Sequence, residues 1–131
     1  MRDLKDTVAW ITGAGTGIGE GAAVAMAREG AKVILTGRRL DPLEQVSKKI
    51  EDAGGFVEIA QGDAMDRPGM MALAKDIQNR YGKLDLLFNN HGINITNRNW
   101  GGGNLEGWDE VIDVNVKGAY NCALAALEVM R

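Results

Sequence analysis

Short apolar runs alternate with segments of helical periodicity along this chain. The runs TVAWIT, KVILTG, FVEIAQGD and LDLLFNN are apolar and end at glycine or polar residues, which predicts four buried strands. Three helices are predicted between them, each closed by a glycine. Asp41 is expected to cap the second helix, with Pro42 at its first position, and Arg67-Pro68 to open the third. A long last helix is predicted from about Trp108 to the end.

Strands and helices that alternate with short connections are typical of βαβ units and hence of a parallel sheet covered by helices. Right-handed crossovers predict the strand order 3-2-1-4. We therefore expect an α/β, three-layer Rossmann-type fold and a single domain over residues 1–131. The crevice between strands 1 and 4, at their carboxyl ends, is where such sheets bind ligands.

Composition narrows the classes of partner. The chain is 45% hydrophobic and carries a formal net charge of -3, so we expect a globular protein that does not bind nucleic acid. No apolar run approaches the roughly 20 residues needed to cross a bilayer, so no membrane partner is expected. The single cysteine, Cys122, fits a reducing compartment, and we expect a cytoplasmic protein without a bound metal.

The loop after the first strand, TGAGTGIGEG, is rich in glycine. The dinucleotide fingerprint G-x-G-x-x-G fits it poorly, because a match that starts at Gly17 has Ala22 in its third glycine position. The spacing T-G-x-x-x-G-x-G fits residues 12–19 without a substitution. Taken alone, this loop is either a phosphate cradle or a flexible turn without a ligand.

Each glycine of this spacing has a specific expected task. Gly13 would turn the chain at the end of the strand, and Gly17 would let a pyrophosphate approach the helix N-terminus, where free N–H groups favour anions. Gly19 would allow the helix to pack closely on the strand. Gly15 and Gly21 are expected to assist the turn and the helix packing.

Further motifs follow the later strands. These are Gly62-Asp63 after the third, Asn89-Asn90-His91-Gly92 after the fourth, and Asn115 in the segment DVNVKGA. Together with the glycine-rich loop, they resemble the short-chain dehydrogenase/reductase family, in the right order and over essentially the whole chain. The resemblance implies a domain that binds NAD(H) or NADP(H), in an oxidoreductase that transfers a hydride to or from a carbonyl or alcohol substrate.

The resemblance also implies roles for individual residues. Asp63, with Ala64 beside it, would contact the adenine, Asn89 and Gly92 would lie against the ribose, and Asn115 would bend the long helix and anchor a water that leads to the catalytic lysine. The residues that resemble the family's phosphate loop are Thr12, Gly13, Gly15, Thr16, Gly17, Ile18 and Gly19.

Plainer interpretations exist for several of these positions. Asp63 could simply cap a turn, and Asn89 and Asn90 could satisfy backbone groups at a strand end. His91 departs from the family, which usually has alanine there. A lone histidine in a loop is more often packed or solvated than catalytic, and the sequence assigns no role to His91.

The end of the second strand predicts which nicotinamide cofactor is preferred. NAD sites place an acidic residue about 20 positions beyond the glycine loop, but here Gly37 is followed by Arg38 and Arg39. We predict NADP(H) over NAD(H), with Arg38 on the 2′-phosphate and Arg39 stacking on or flanking the adenine. The alternative is that both arginines are solvated or pair with Asp41 and Glu44. Methyltransferases also have a glycine-rich loop after the first strand, but they need an acidic residue at the end of the second strand for the cofactor ribose. The absence of that acid argues against this class of enzyme.

The family's catalytic tyrosine, followed by lysine four residues later, is absent from these 131 residues. Tyr81 and Tyr120 are followed at that position by Asp85 and Leu124, and the only serine is Ser47. The resemblance implies that the catalytic pair lies beyond residue 131, so we expect the chain to be the cofactor-binding part of a longer enzyme. The alternative is a catalytically silent nucleotide-binding module.

The last helix is expected to serve a homo-oligomer, because the corresponding helix commonly forms the dimer interface in the family. The residues Gly118, Cys122, Ala126 and Met130 recur at a spacing of four and would suit close helix packing. The alternative is that this row packs on the chain's own sheet. Trp100, in the loop before the helix, is expected to plug the space between loop and helix rather than to act as a lid.

Overall fold

The computed structural model describes residues 3–15, 17–92 and 105–130. Its strands form one parallel sheet in the order β3-β2-β1-β4, as predicted. The last helical stretch runs through a π-helical segment, Asp113–Lys117. In chain order the other elements are β1 (Val8–Thr12), α1 (Gly17–Arg28), β2 (Lys32–Thr36), α2 (Leu40–Asp52), β3 (Phe56–Ile59), α3 (Arg67–Tyr81), β4 (Leu86–Phe88), α4 (Leu105–Ile112) and α5 (Gly118–Met130).

Strand β1 is the centre of the sheet, and all five of its residues are buried. Alternate side chains of a strand face opposite sides of the sheet, so β1 contributes to two cores. Ala9 and Ile11 pack with residues of α1 and α2, and Val8 and Trp10 pack with residues of α3 and α5. The fold is therefore three layers, with the sheet in the middle.

A chain of side-chain hydrogen bonds crosses the sheet at its buried centre. The indole Nε1 of Trp10 donates to the hydroxyl of Thr36 on β2 at 2.8 Å, and that hydroxyl donates to the carbonyl of Ala60, just after β3, at 2.8 Å. Burying the polar indole N–H would be costly without a partner. The contact with Thr36 removes that cost and links three neighbouring strands.

The start of α2 differs from the prediction. The helix begins at Leu40, with Arg39 in an extended conformation before it and no side-chain cap, so Asp41 is not the N-cap residue. Pro42 is then the third helical residue, where the backbone N–H that proline lacks would still have no partner within the helix. An Asp-Pro pair is compatible with either start, which is why the sequence misplaced this boundary.

The start and end of α3 agree with the prediction. Asp66 precedes the helix and its carboxylate accepts a hydrogen bond from the backbone N–H of Gly69 at 3.0 Å, while Pro68 lies in the first turn. Gly82 ends the helix in the left-handed region, with φ of 81°. The expected long helix also forms, but it begins at Leu105 rather than near Trp108.

Most of the row of small residues on α5 faces the protein's own core. Gly118, Cys122 and Ala126 are buried, and the last two pack in the core that α5 shares with α3. These three agree with the plainer interpretation of the row, whereas its last member, Met130, is 41% exposed. Other large apolar residues left exposed on the last helical stretch include Ile112, Val116, Tyr120 and Leu127. In the described ranges, no helix combines the length and apolar character that crossing a membrane requires.

Replacing Asp66 with alanine tests the cap of α3. We expect Asp66→Ala to lower the free energy of unfolding by about 1 kcal/mol, because the N–H of Gly69 loses its side-chain acceptor. Urea denaturation followed by circular dichroism measures this change. Asp52→Ala, which removes an exposed ion pair with Lys48, is the matched control and should leave stability nearly unchanged. Equal effects of the two substitutions would contradict the cap.

Candidate functional site

A cleft of about 550 Å³ opens at the carboxyl ends of the strands, between the loops that follow them. It lies at the switch point where the chain passes from one side of β1 to the other, which is the position predicted for a ligand. The residues that line it are Thr12, Gly13, Gly15, Thr36, Gly37, Arg38, Arg39, Pro42, Leu43, Gly62, Asp63, Ala64, Asn90, His91, Gly92 and Val114.

The glycine-rich loop has the geometry that its spacing predicts. Gly13 and Gly17 both have φ near +60°, a conformation that residues with a Cβ rarely adopt. A Cβ on Gly17 would meet no atom within 4 Å, so the backbone at the start of α1 is open to an incoming group. A Cβ on Gly19 would instead collide with the carbonyl of Gly13 and lie 2.8 Å from Nδ2 of Asn90.

Thr12 joins this loop to the loop after β4. Its hydroxyl oxygen accepts the backbone N–H of Asn90 at 3.0 Å and that of His91 at 3.3 Å. The same hydroxyl lies 3.4 Å from the carbonyl of Phe88, Oδ1 of Asn89 and Nδ1 of His91, any of which can take its proton. The buried Thr12 side chain is therefore occupied in fixing a loop.

The two asparagines after β4 point in different directions. Nδ2 of Asn89 donates to the carbonyl of Ala119 on α5 at 2.8 Å, and Asn89 does not line the cleft. Asn90 does line it, and its Nδ2 lies 3.4 Å from the carbonyl of Gly13. The sequence singled out Asn89 with Gly92, and nothing in the pair Asn-Asn shows which member faces the ligand.

Arg38 and Arg39 line the cleft directly after β2. The segment after β3 fixes the loop that carries them, because Gln61 Nε2 donates to the carbonyl of Arg38 at 2.8 Å and the N–H of Gly62 donates to the carbonyl of Gly37 at 3.1 Å. Over residues 3–15, 17–92 and 105–130, neither guanidinium pairs with Asp41, Glu44 or another carboxylate. Both charges are available to a ligand.

Asp63 and Ala64 line the cleft from the loop after β3. The Asp63 carboxylate accepts the backbone N–H of Met65 at 2.9 Å, so it does cap a turn, and it is exposed to the cleft at the same time. The carbonyl of Ala64 accepts a hydrogen bond of 2.8 Å from Nδ2 of Asn121, whose Oδ1 accepts one of 2.8 Å from Arg67. Helix α5 thereby holds this loop in place.

Asn115 lies in the π-helical segment, which is the irregularity expected at this point of the long helix. A Cβ placed on Gly92 would be 3.0 Å from Oδ1 of Asn115, so the asparagine amide lies against the loop after β4. Val114, its neighbour, lines the cleft. The sequence did not indicate Val114, because its place in the cleft follows from the π-helical turn.

Of the other predicted phosphate-loop residues that the structure describes, Gly17, Ile18 and Gly19 do not line the cleft walls. Gly17 and the exposed Ile18 are at the start of α1, beside the opening, and Gly19 is buried beneath Gly13. Thr16 lies outside the described residues, as does Trp100.

Neither Tyr81 nor Tyr120 lines the cleft. Tyr81 packs edge-on against Phe56 at the opposite end of the sheet, and burial raises the pKa of its hydroxyl to about 12. Tyr120 is exposed on α5, with Arg67 against its ring.

A parallel sheet in the order 3-2-1-4, with a glycine-rich turn at its switch-point crevice, defines a Rossmann-type α/β protein. Comparison with protein families is more specific, because the model of the short chain dehydrogenase family matches residues 7–131. The chain therefore belongs to the short-chain dehydrogenase family, as the resemblance predicted.

Two relatives in sequence are named as oxidoreductases. An uncharacterized oxidoreductase of Staphylococcus aureus is 37% identical over 130 residues, covering 99% of this chain and 55% of the relative, and one of Listeria innocua is 36% identical over 124 residues, covering 95% and 50%. The chain spans about half the length of these relatives.

Two solved structures share the fold over almost the whole chain. A short-chain type dehydrogenase/reductase from Mycobacterium marinum is 31% identical, with a TM-score of 0.90, and the match covers 97% of this chain and 51% of that one. A metagenomic short-chain oxidoreductase in complex with NADP is 32% identical, with a TM-score of 0.86, covering 95% and 57%.

A pair of glycine substitutions on α1 tests the packing beneath the cleft. Gly19→Ala should lower the free energy of unfolding by about 2 kcal/mol, because its methyl group would collide with the carbonyl of Gly13. Gly21→Ala, whose methyl group meets only open space, should raise it by about 0.5–1 kcal/mol through helix propensity. Urea denaturation of both variants checks the two signs, and a tolerated Gly19→Ala would refute the close approach.

Proposed function

We propose that the cleft binds NADP(H), with NAD(H) bound more weakly, and that this chain is the cofactor-binding part of an oxidoreductase. The observation that carries the proposal is the pair of guanidinium groups on Arg38 and Arg39, which line the cleft without a carboxylate partner among the described residues. A guanidinium binds a phosphate through parallel charge-assisted hydrogen bonds. An acidic residue for the 2′-hydroxyl of NAD is missing, since Gly37 occupies its place.

The proposed site has a separate place for each part of the cofactor. The pyrophosphate would lie at the start of α1, where Gly17 leaves the backbone accessible and unpaired N–H groups favour an anion. The adenine half would lie between Arg39 and the Asp63–Ala64 loop, and Arg38 would hold the 2′-phosphate. The ribose beyond the pyrophosphate would contact the loop with Asn89 and Gly92, of which Gly92 lines the cleft.

When bound, the cofactor supplies a hydride for transfer between its nicotinamide ring and the carbon of a carbonyl or alcohol substrate. This chain's contribution to the chemistry would be Asn115, whose side chain lies against Gly92 in the loop that would hold the nicotinamide half. We propose that the amide of Asn115 orders a water in the path of the proton. A second candidate, a nucleotide-binding module without turnover, differs only in this chemical step and is separated from the first by assaying NADPH oxidation with a panel of carbonyl compounds.

We further propose a homo-oligomer through the last helical stretch. Its exposed apolar face includes Val116, Tyr120 and Leu127, which are 63%, 55% and 51% exposed. Such a continuous apolar face is typical of an interaction surface. Gly118, Cys122 and Ala126 of the small-residue row are buried in the chain's own core, whereas the last member of that row, Met130, is 41% exposed. Sedimentation of the protein and of a Leu127→Glu variant tests this assembly, which requires the variant to dissociate.

Arginine substitutions test the preference for the 2′-phosphate. Arg38→Ala should raise the Kd for NADPH roughly 10- to 100-fold, the equivalent of one charge-assisted contact, and should change the Kd for NADH less than about threefold. Arg39→Ala should weaken both nucleotides to a similar extent, because stacking on adenine does not depend on the phosphate. Isothermal titration calorimetry of the protein in its full natural length measures all four constants.

Arg28→Ala is the matched control for these variants. Arg28 is exposed in the last turn of α1 and does not line the cleft, so its removal should leave both constants unchanged. A protein that binds NADH at least as tightly as NADPH would refute the cofactor preference. Failure to bind either nucleotide would refute the binding site.

A further inference from the structure

His91 connects the two sides of the cleft that carry β1 and the long helix. The residue follows β4 directly, lines the cleft and is partly buried. Both nitrogens of its ring have a partner: Nδ1 lies 3.4 Å from the hydroxyl of Thr12, and Nε2 lies 3.2 Å from the carbonyl of Val114. Thr12 ends β1, and Val114 belongs to the π-helical segment that holds Asn115.

The partners determine which nitrogen carries the proton. A carbonyl oxygen only accepts, so Nε2 must be the protonated nitrogen and donates to Val114. Nδ1 is then able to accept from the hydroxyl of Thr12, as are the carbonyl of Phe88 and Oδ1 of Asn89 at the same distance. The Val114 carbonyl also accepts the backbone N–H of Gly118, so the ring supplies its second hydrogen bond. The neutral Nε2–H tautomer fits every contact.

A second proton on the ring would conflict with its surroundings. The hydroxyl oxygen of Thr12 already accepts two backbone N–H groups, so a protonated Nδ1 would meet an oxygen whose lone pairs are both in use. Burial is the main cause that lowers the pKa of His91, against smaller raising effects of the Val114 carbonyl and of Asp63. Asp63 is the charged group of the described chain whose field acts on the ring.

Gly118 makes room for the ring. A Cβ on Gly118 would collide with Nε2 of His91 and lie 2.9 Å from its Cδ2, besides approaching Cβ of Ala64 to 3.2 Å. Contacts of this kind below 3.0 Å require one group to move. The imidazole at position 91 and the missing side chain at position 118 are therefore complementary, although 27 positions separate them.

We propose that His91 is a positioning residue: as a neutral imidazole seated over Gly118, it clamps the end of β1 to the π-helical segment and so fixes Asn115 and Gly92 at the cofactor cleft. The inference rests on the proposed function for its effect on cofactor binding, whereas the clamp itself is a property of the folded chain. It assigns a use to the residue at which this sequence departs from the family's usual alanine.

A double-mutant cycle tests the complementarity of His91 and Gly118. Gly118→Ala should lower the Tm by roughly 5 °C or more, because the ring and the new methyl group overlap. His91→Ala should lower it by a few degrees, and the double variant should recover most of the loss caused by Gly118→Ala. Gly21→Ala, whose methyl group meets open space, should act independently of His91 and is the control. Additive effects of the 91 and 118 substitutions would overturn the clamp.

Two variants of similar size separate the hydrogen bond from mere filling of space. Glutamine places an N–H at about the distance of Nε2, whereas leucine supplies volume without a donor. His91→Gln should keep the Kd for NADP⁺ within about twofold of the parent, and His91→Leu should raise it roughly 3- to 10-fold, the equivalent of one hydrogen bond. Equal Kd values for the two variants would overturn the positioning role.

The charge state of the ring is a third readout. The ordinary pKa of a histidine is 6.5, and burial holds that of folded His91 below it, so the unfolded chain takes up the proton first. The free energy of unfolding should therefore fall as the pH drops below about 6.5. The His91→Gln variant should lack the part of this decrease that His91 causes. Nitrogen-15 spectra, with the His91 signals assigned by their loss in His91→Gln, should show the Nε2–H tautomer at pH 6.5, and an imidazolium there would overturn the proposal.

Failure of the proposed function and failure of this inference give different results. If the parent protein binds no nucleotide, the stability cycle and the tautomer still decide whether the clamp exists. If the parent binds NADP⁺ but the 91 and 118 substitutions are additive, the cofactor site stands and the clamp does not.

Discussion

The hydroxyl of Thr12 is the contact on which the candidate site depends. It stands at the buried end of the central strand and receives two backbone N–H groups from the loop after β4. Backbone groups at the end of a strand have lost their ladder partners, and leaving them buried and unpaired would cost free energy. One side chain satisfies two of them and in doing so sets the distance between the two loops that enclose the cleft.

The sheet order then gives the cleft two chemically different sides. Strand β2 lies on one side of β1 and ends in Gly37, Arg38 and Arg39, where the charge is positive. Strand β4 lies on the other side and ends in amide and imidazole groups that contact the long helix. An elongated anionic ligand with one uncharged end is compatible with this division, and a parallel sheet brings both sides together at the carboxyl ends of its strands.

Much of this arrangement could be predicted from local pattern. Buried parallel strands read as continuous apolar runs, so VAWIT and KVILT were recognisable, and right-handed crossovers left one strand order. The spacing of Gly13, Gly17 and Gly19 reflects local backbone needs and was also readable. The cofactor and the roles of the individual site residues stay predictions.

What the sequence did not show depends on contacts between distant residues. The choice of Asn90 rather than Asn89 for the cleft wall follows from the carbonyl of Ala119, thirty positions away, which takes the amide of Asn89. The relation of His91 to Gly118 has the same origin, since 27 positions separate the two residues. Asp41 was misplaced as a cap because an Asp-Pro pair tolerates two helix starts.

The buried Cys122 has a consequence for handling the protein. The thiol is fully enclosed between α5 and α3, and burial raises its pKa to about 11, so at neutral pH it is both protonated and shielded from reagents. Alkylation then requires the two helices to part. The rate at which a thiol reagent labels this position therefore measures how often that half of the core opens, a built-in report on local unfolding that needs no engineered probe.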